Sequence, residues 1–317
     1  MSASLQTVRV RHITQETPSI VSIDLAPVES DRLPAFEAGA HIDLHLPNGL
    51  VRSYSLMSCP SDLSHYRLGV LHDRRSRGGS AFIHKHLRAG ALLKASAPRN
   101  NFPTGNAARA VFIAGGIGIT PLLSMARQLA GKGAAVELLY CSRSEGEVAF
   151  RGELEGLQGA VTYHFDDQHG GAPDLKTLMR DYPRDTHFYC CGPVPMLEAF
   201  DQACTALGIK HRHTERFCGA ALSVSGTENR GFEVVLARSG KQLYHDGKGS
   251  LVDTLVASGQ IVSYSCKEGV CGACETGVLE GTPEHRDFVL STAERASGKT
   301  MMICVSGCKS DRLVLDL

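Results

Sequence analysis

Over the first hundred residues, apolar and polar side chains alternate in short runs, TVRVRHI, SIVSIDLA, HIDLHL, RSYSLMS and YRLGVLH, separated by proline and glycine. A period of two puts one set of side chains on a buried face and the other in water, so each run predicts a strand. Together they predict a small antiparallel β-barrel over residues 1–103. At Arg109 the texture changes. RAVFIAGG is apolar throughout, as a strand covered on both faces is, and it leads into TPLLSMARQLAGKG. That stretch predicts a helix capped by Thr120, with Pro121 in its first position and Gly131 or Gly133 at its end. AVELLYCS, VTYHF, DLKTLMRDY, THFYCCG and VPMLEAFDQACTALG continue the alternation, predicting a parallel α/β domain over residues 107–222. The polar stretch SVSGTENRG predicts a linker at 223–231. After it, the strands FEVVLA and KQLYHD, a helix through SLVDTLVASG and a closing strand RLVLDL outline a third domain, 232–317.

Composition narrows the function. A chain of 317 residues exceeds one ordinary core and fits a multidomain protein. Lysine plus arginine equals aspartate plus glutamate at 33 each, so no net field draws the chain to nucleic acid or an anionic membrane. No apolar run approaches the ~18 residues of a membrane span, and no charged-then-apolar leader opens the chain, so the expected location is cytoplasmic. Eleven cysteines is an odd number, and the adjacent Cys190 and Cys191 are poorly placed to pair with each other. The cysteines therefore read as thiols, ligands or core residues.

Three of them crowd into SYSCKEGVCGACETG, and a fourth completes the spacing Cys266-x4-Cys271-x2-Cys274-x29-Cys304. This is the plant-type spacing for a [2Fe-2S] cluster, whose two irons each take two soft thiolates. Small residues at Gly269, Gly272 and Ala273 let the loop wrap tightly and aim backbone N–H groups at sulfur. A structural zinc site is the alternative, although zinc modules usually carry two short C-x2-C pairs. Cys308 reads as a core or spare thiol.

A cluster takes one electron at a time, which raises the question of its donor. FIAGGIGITPLLSM runs a strand into Gly115, Gly116 and Gly118 and then a helix, allowing a phosphate-bearing ligand near the helix N-terminus. YCCGPVPM repeats the arrangement with Cys191, Gly192 and Pro193. Either turn alone could be a tight packing corner; two at strand carboxyl ends describe a ligand crevice. A nicotinamide delivers electrons in pairs, so a flavin is needed to divide them. Arg52, Ser53, Tyr54 and Ser55 in RSYSL, with Gly78, Gly79 and Ser80 at a helix start, offer a cation, hydroxyls, an aromatic ring and an anion site. Read locally, the same residues also describe a solvated strand and a charged loop.

The order of RSYSL, RGGSAF, AGGIGITPLLSMARQL, YCCGP, the four cysteines, EHRDFVLS and LVLDL resembles the phthalate dioxygenase reductase type of Rieske oxygenase reductase, a family that includes vanillate O-demethylase reductases. The resemblance covers essentially the whole chain. It implies an FMN barrel, an NADH domain and a β-grasp plant-type ferredoxin domain, with electrons passing from NADH through FMN and the cluster to a separate terminal oxygenase. By the resemblance, Arg52, Gly79 and Ser80 hold the FMN phosphate, Tyr54 lies against the isoalloxazine and Ser55 sits near N5. Gly116 and Thr120 meet the dinucleotide and Cys191 approaches the nicotinamide. Glu215 and Phe217 in HTERF correspond to the segment beside the flavin, ordinary core packing being the alternative for Phe217. FMN is preferred to FAD because the nucleotide domain passes directly into the linker. NADH is preferred by resemblance alone, since Ser142 and Arg143 after a strand could cradle a 2′-phosphate. A diiron or P450 monooxygenase remains an alternative acceptor, and a zinc-held nucleotide-binding non-enzyme an alternative class. HKH (His84, His86) and HRH (His211, His213) read as surface or phosphate-side residues. EHRDFVLS predicts a helix or turn beside the cluster loop.

Overall fold

The computed structural model describes residues 5–74, 76–218 and 230–317; the expected linker lies almost wholly outside them. The described residues divide into one unit over 5–216 and a second from Phe217 onward.

In the first unit, β1 (Gln6–Thr17), β2 (Ile20–Pro27), β3 (His41–His45), β4 (Val51–Ser55), β5 (Tyr66–Leu71) and β6 (Leu92–Ala95) form an antiparallel sheet. Its order is β4-β3-β6-β1-β2-β5. A bridge between Leu56 and Leu68, with Met57 N–H donating to Arg67 O at 2.8 Å, brings the two edges together into a barrel. Closure satisfies backbone groups that an open edge would expose. The alternation seen in the sequence becomes the inside: Val8, Val10, Ile23, Leu25, Ile42, Leu44 and Leu68 form one buried cluster. The helix α1 (Gly79–His86) connects β5 to β6.

The chain then runs through β7 (Arg109–Gly115), α2 (Ile119–Gly131), β8 (Ala135–Ser142), α3 (Arg151–Glu155), β9 (Ala160–Phe165), α4 (Asp166–His169), α5 (Leu175–Met179), β10 (His187–Cys191), α6 (Val194–Leu207) and β11 (Arg212–Glu215). The five strands are parallel in the order β11-β10-β7-β8-β9. From β7 the chain builds outward to β9, then returns to the other side of β7 with β10. The reversal places a crevice at the carboxyl ends of β7 and β10, the usual ligand position in such sheets.

Thr120 is not the helix cap that its position in the sequence predicts. Gly116–Gly118 makes a single 3-10 turn, Gly118 stands at the cap position, and Thr120 is inside the first turn with its hydroxyl donating to Ile117 O at 3.0 Å. Glycine at 116, with φ 53, turns the chain early enough for the helix to begin at Ile119.

Barrel and parallel sheet share a core. Ile20, Ala38, Met57 and Phe102 are buried with Phe112, Ile119, Leu122 and Tyr189. A Cβ on Gly69 of β5 would lie 2.6 Å from Thr120 Cγ2 and 2.8 Å from Phe150 Cζ, so only glycine lets the strand lie this close. Arg67 pairs with Glu16 of the barrel at 3.1 Å and with Glu153 of α3 at 3.0 Å, and Ser124 Oγ donates to Ser58 O at 3.2 Å.

The second unit holds β12 (Phe232–Leu236), β13 (Lys241–His245), α7 (Leu251–Ala257), β14 (Glu275–Glu280), β15 (Pro283–Glu284), α8 (Thr292–Ser297), β16 (Thr300–Met302), β17 (Gly307–Cys308) and β18 (Arg312–Leu315). The main sheet runs β13-β12-β18-β14-β16, with β12 and β18 parallel at its centre. The helix α7 begins with a Ser250–Asp253 capping box and buries Leu251, Val252 and Leu255 in the core of this β-grasp unit. Among the described residues no helix is long and apolar enough to cross a membrane.

The histidines of HRH lie on the β10–β11 edge, where they join a stack of rings. His187 stacks on His211 at 4.4 Å and on His213 at 5.4 Å, and Tyr189 lies 4.5 Å from His213. Burial, then the neighbouring His187 and His211, push His213 down from the ordinary 6.5 to about 4. Between these values the unfolded chain binds a proton that the folded chain refuses, so stability falls as pH drops from about 6.5 to about 4 and is insensitive to this group above that window. Thermal unfolding against pH should show the decline, and His213→Phe, which keeps a ring but cannot be protonated, should flatten it.

Candidate functional site

The crevice is built by glycine turns that touch. A Cβ on Gly118 would lie 2.1 Å from Cys191 O, and one on Gly192 would lie 3.1 Å from Gly115 Cα and 2.8 Å from Met196 Sδ. The turn after β7 and the turn after β10 therefore meet backbone to backbone, bringing Gly115, Gly116, Gly118, Thr120, Cys191, Gly192 and Pro193 to one end of the sheet. The first turn of α2 carries no acidic residue, which leaves the positive end of its dipole unopposed. Cys191 is fully buried, and burial, then the Glu215 carboxyl, push its thiol well above the ordinary range. Glu215 is its register partner on β11. Burial raises Glu215 to about 8, and its Oε2 is buried with no hydrogen-bond partner among the described residues, although the residue retains some exposed surface. An orphaned carboxyl beside a buried thiol is an arrangement that awaits a polar ligand. Ser142, at the end of β8, turns its hydroxyl to Ser144 O at 2.8 Å, and Arg143 is exposed.

The barrel strand β4 leads into the shared core, where Met57, two residues beyond Ser55, is buried. Arg52 lies across the start of α1: a Cβ on Gly79 would strike its Cγ at 2.6 Å. Its guanidinium donates to Val51 O at 2.7 Å and Arg77 O at 3.0 Å. Gly78 stands at the cap of α1 with φ 93, and the Ser80 hydroxyl donates to Ser76 Oγ at 2.9 Å. Arg52, Gly78, Gly79 and Ser80 thus form one basic corner at a helix N-terminus that contains no acidic residue. Burial pushes the Tyr54 hydroxyl up, with the Arg52 charge opposing. Strand alternation turns Ser53 the other way: its hydroxyl donates to buried Asp43 at 2.6 Å, and Asp43 also accepts from Arg99 at 2.8 Å. Ser55 is buried. Asp43 and Arg99, which brace this strand from behind, carry no sequence signal of their own. Phe217 opens the second unit and is 41% exposed.

In the second unit the four cysteines of the long-spaced set converge. Cys266, Cys271, Cys274 and Cys304 are all buried. Cys266 Sγ is within hydrogen-bonding reach of the Cys271 and Cys304 thiols, and Cys274 of Cys304. The neighbouring Cys271 and Cys304 thiols, with N–H groups of Val270 and Glu268, hold Cys266 well below the ordinary thiol range; the Glu268 N–H lies 3.3 Å from its sulfur. Buried, mutually touching thiols fed by backbone N–H groups fit a cluster of iron and sulfide, because such donors offset the negative charge on thiolate and sulfide. Cys308 lies apart, its sulfur 3.1 Å from Ser310 Oγ.

A basic corner on a β-barrel, a glycine-built crevice at the end of a parallel sheet and a loop of four buried cysteines on one chain define a pyridine-nucleotide-dependent iron–sulfur oxidoreductase. Comparison with known proteins agrees. Residues 99–214 match the family "Dimethylamine monooxygenase subunit DmmA-like, N-terminal domain", and residues 235–309 match the "2Fe-2S iron-sulfur cluster binding domain". The chain is 46% identical to phenoxybenzoate dioxygenase subunit beta of Ectopseudomonas oleovorans over 98% of this chain and 96% of that one. With vanillate O-demethylase oxidoreductase of a Pseudomonas species the identity is 40% over 94% and 95%. The solved phthalate dioxygenase reductase superposes with a TM-score of 0.73 at 34% identity, covering 99% of this chain and 98% of that one. An intact type IV self-sufficient cytochrome P450 monooxygenase gives 0.89 at 37%, this chain covered to 99% but spanning only 41% of the larger protein. The chain belongs to the phthalate dioxygenase reductase family of oxygenase reductase components. It carries a [2Fe-2S] cluster and passes electrons from a pyridine nucleotide to it. The cluster-domain match decides for iron–sulfur over zinc in the cysteine loop.

Gly118→Ala should destabilise the first unit by about 1–3 kcal/mol, the usual range for an overpacked interior, and weaken NADH binding. Gly131→Ala, where a Cβ meets nothing within 4 Å, should be neutral or slightly stabilising. Urea unfolding and NADH titration of the two variants compare these outcomes directly.

Proposed function

We propose that the chain is the NADH-dependent reductase component of a two-component Rieske-type aromatic oxygenase or O-demethylase. The observation that carries this reading is the presence of the four-thiol loop on the same chain as the dinucleotide crevice, in a protein related over almost its whole length to subunits of such systems.

The proposed flavin is FMN, a choice that rests on the sequence, where the nucleotide domain passes into the polar stretch SVSGTENRG. A bound flavin accepts electrons as a pair and releases them singly. The chain's own residues place it. Arg52, Gly79 and Ser80 meet the phosphate, with Gly78 turning the helix start toward it; Tyr54 lies against the ring system and Ser55 near its reactive nitrogen. Ser53 serves by bracing β4 through Asp43. Gly115, Gly116, Gly118 and Thr120 admit the dinucleotide pyrophosphate at the start of α2, while Cys191, Gly192 and Pro193 border the nicotinamide. Glu215, held protonated at neutral pH by burial, offers a donor to the bound nicotinamide's amide. Cys266, Cys271, Cys274 and Cys304 ligate the cluster. Residues 1–103, 107–222 and 232–317 are the three functional domains, joined at 223–231. Docking to the terminal oxygenase is transient and salt-sensitive, as suits an electron-transfer partner.

A second reading, delivery to a P450, draws support from the similarity to a self-sufficient P450 monooxygenase. Reduction of a purified Rieske oxygenase, but not of a P450, decides for the first reading. Cys271→Ser should abolish reduction of cytochrome c while leaving NADH-to-flavin reduction largely intact, as read by stopped-flow absorbance. Equal loss of both would contradict the assignment of this cysteine to the exit site.

A further inference from the structure

EHRDFVLS takes no part in the scheme above, yet the structure lays it against the cluster loop. Phe288 N–H donates to Gly269 O at 2.8 Å, and a Cβ on Gly269 would meet Asp287 Cα at 3.0 Å. Gly269 lies between Cys266 and Cys271, so this segment backs the stretch that carries both. It also reaches the fourth cysteine's turn. The Arg286 N–H donates at 3.4 Å to Ser306 Oγ, two residues past Cys304, and Leu290 is buried in one core with Cys274 and Cys304.

Asp287 is the centre of the segment, and its side chain is 0% exposed. Oδ2 accepts the N–H groups of Val289 at 3.0 Å and Leu290 at 2.8 Å. The Arg295 guanidinium lies 3.7 Å from that oxygen and donates to the Asp287 carbonyl. Oδ1 has no hydrogen-bond partner among the described residues; His285 Nδ1 stands 3.8 Å away, and neither ring nitrogen of His285 is hydrogen-bonded. A turn of this kind needs only a neutral acceptor, such as serine or asparagine. A buried carboxylate is costly unless it is fully paired, and here one oxygen is not. The charge itself therefore calls for an explanation.

We propose that Asp287 is a positioning residue for the iron–sulfur loop: its carboxylate fixes the turn on which Gly269 rests, and its charge, opposed by Arg295, biases the reduction potential of the cluster. The proposal rests on the cluster assignment and is independent of which oxygenase is served. Reduction adds one negative charge to the cluster. A fixed anion nearby disfavours that step and a fixed cation favours it, and both act strongly where water is excluded.

The test uses the full-length holoprotein with anaerobic redox titration of the cluster followed by EPR, iron and sulfide content being measured alongside. Asp287→Asn keeps an acceptor for the Val289 and Leu290 N–H groups and should raise the midpoint potential while preserving the g values. Arg295→Gln, at a partly exposed side chain, should lower it. Shifts of opposite sign, with the flavin potential unmoved in both, support the proposal. Shifts of the same sign, or none in variants that retain full iron and sulfide, overturn it. If Asp287→Asn fails to assemble a cluster, Arg295→Gln decides alone: a downward shift supports the proposal and an unchanged potential overturns it. Wild-type protein lacking iron and sulfide would instead refute the underlying cluster assignment.

Discussion

A hydride donor releases electrons in pairs and a [2Fe-2S] cluster accepts them singly, and this mismatch governs what the chain must hold. It requires a flavin between the two, and it requires the nicotinamide to be presented to that flavin with little freedom, since proximity and orientation are most of what a protein adds to such a reaction. The chain meets the second requirement with packing. The turns after β7 and β10 lie backbone to backbone through Gly118 and Cys191, and the barrel is locked to the parallel sheet where Gly69 meets Thr120 and Phe150. Each contact excludes a single methyl group. Small side chains here are a condition of the geometry.

Electrostatics follow the same division. The basic corner at Arg52 and the acid-free starts of α1 and α2 suit phosphates, whereas the crevice wall carries a neutral thiol at Cys191 and a carboxyl at Glu215 kept protonated by burial. In the second unit the logic reverses. At Cys266 the thiol is driven toward thiolate by the neighbouring Cys271 and Cys304 thiols and by backbone N–H groups. The same physical effect, burial, neutralises groups in the crevice wall and is overcome by hydrogen bonding at Cys266.

Much of this was legible in the chain. Period-two alternation marks the barrel strands because one face of each is buried, and RAVFIAGG reads as a two-sided strand because it is one. The cysteine spacing needs no structure to be recognised. Other features leave no local trace. Thr120 resembles a cap, but the glycine turn before it starts the helix earlier. The strands β14 and β16 escape notice because ETGVLE and TMM are short and carry no clear period-two alternation. The glycine in YRLGVLH looks like a strand defect, and only the neighbouring helix shows why it is required. Ser53 sits among the residues of RSYSL, yet its hydroxyl is turned to Asp43, a partner ten positions earlier on the paired strand. Long-range partners of this kind are set by topology, which a one-dimensional pattern does not record.

The most direct measurement is anaerobic addition of NADH to the purified holoprotein, followed by absorbance and EPR. The account predicts that flavin bands and the iron–sulfur envelope bleach together, that uptake exceeds what the flavin alone can hold, and that a reduced-cluster EPR signal grows in. Bleaching of the flavin with no cluster signal, in protein carrying its full iron and sulfide, would contradict it.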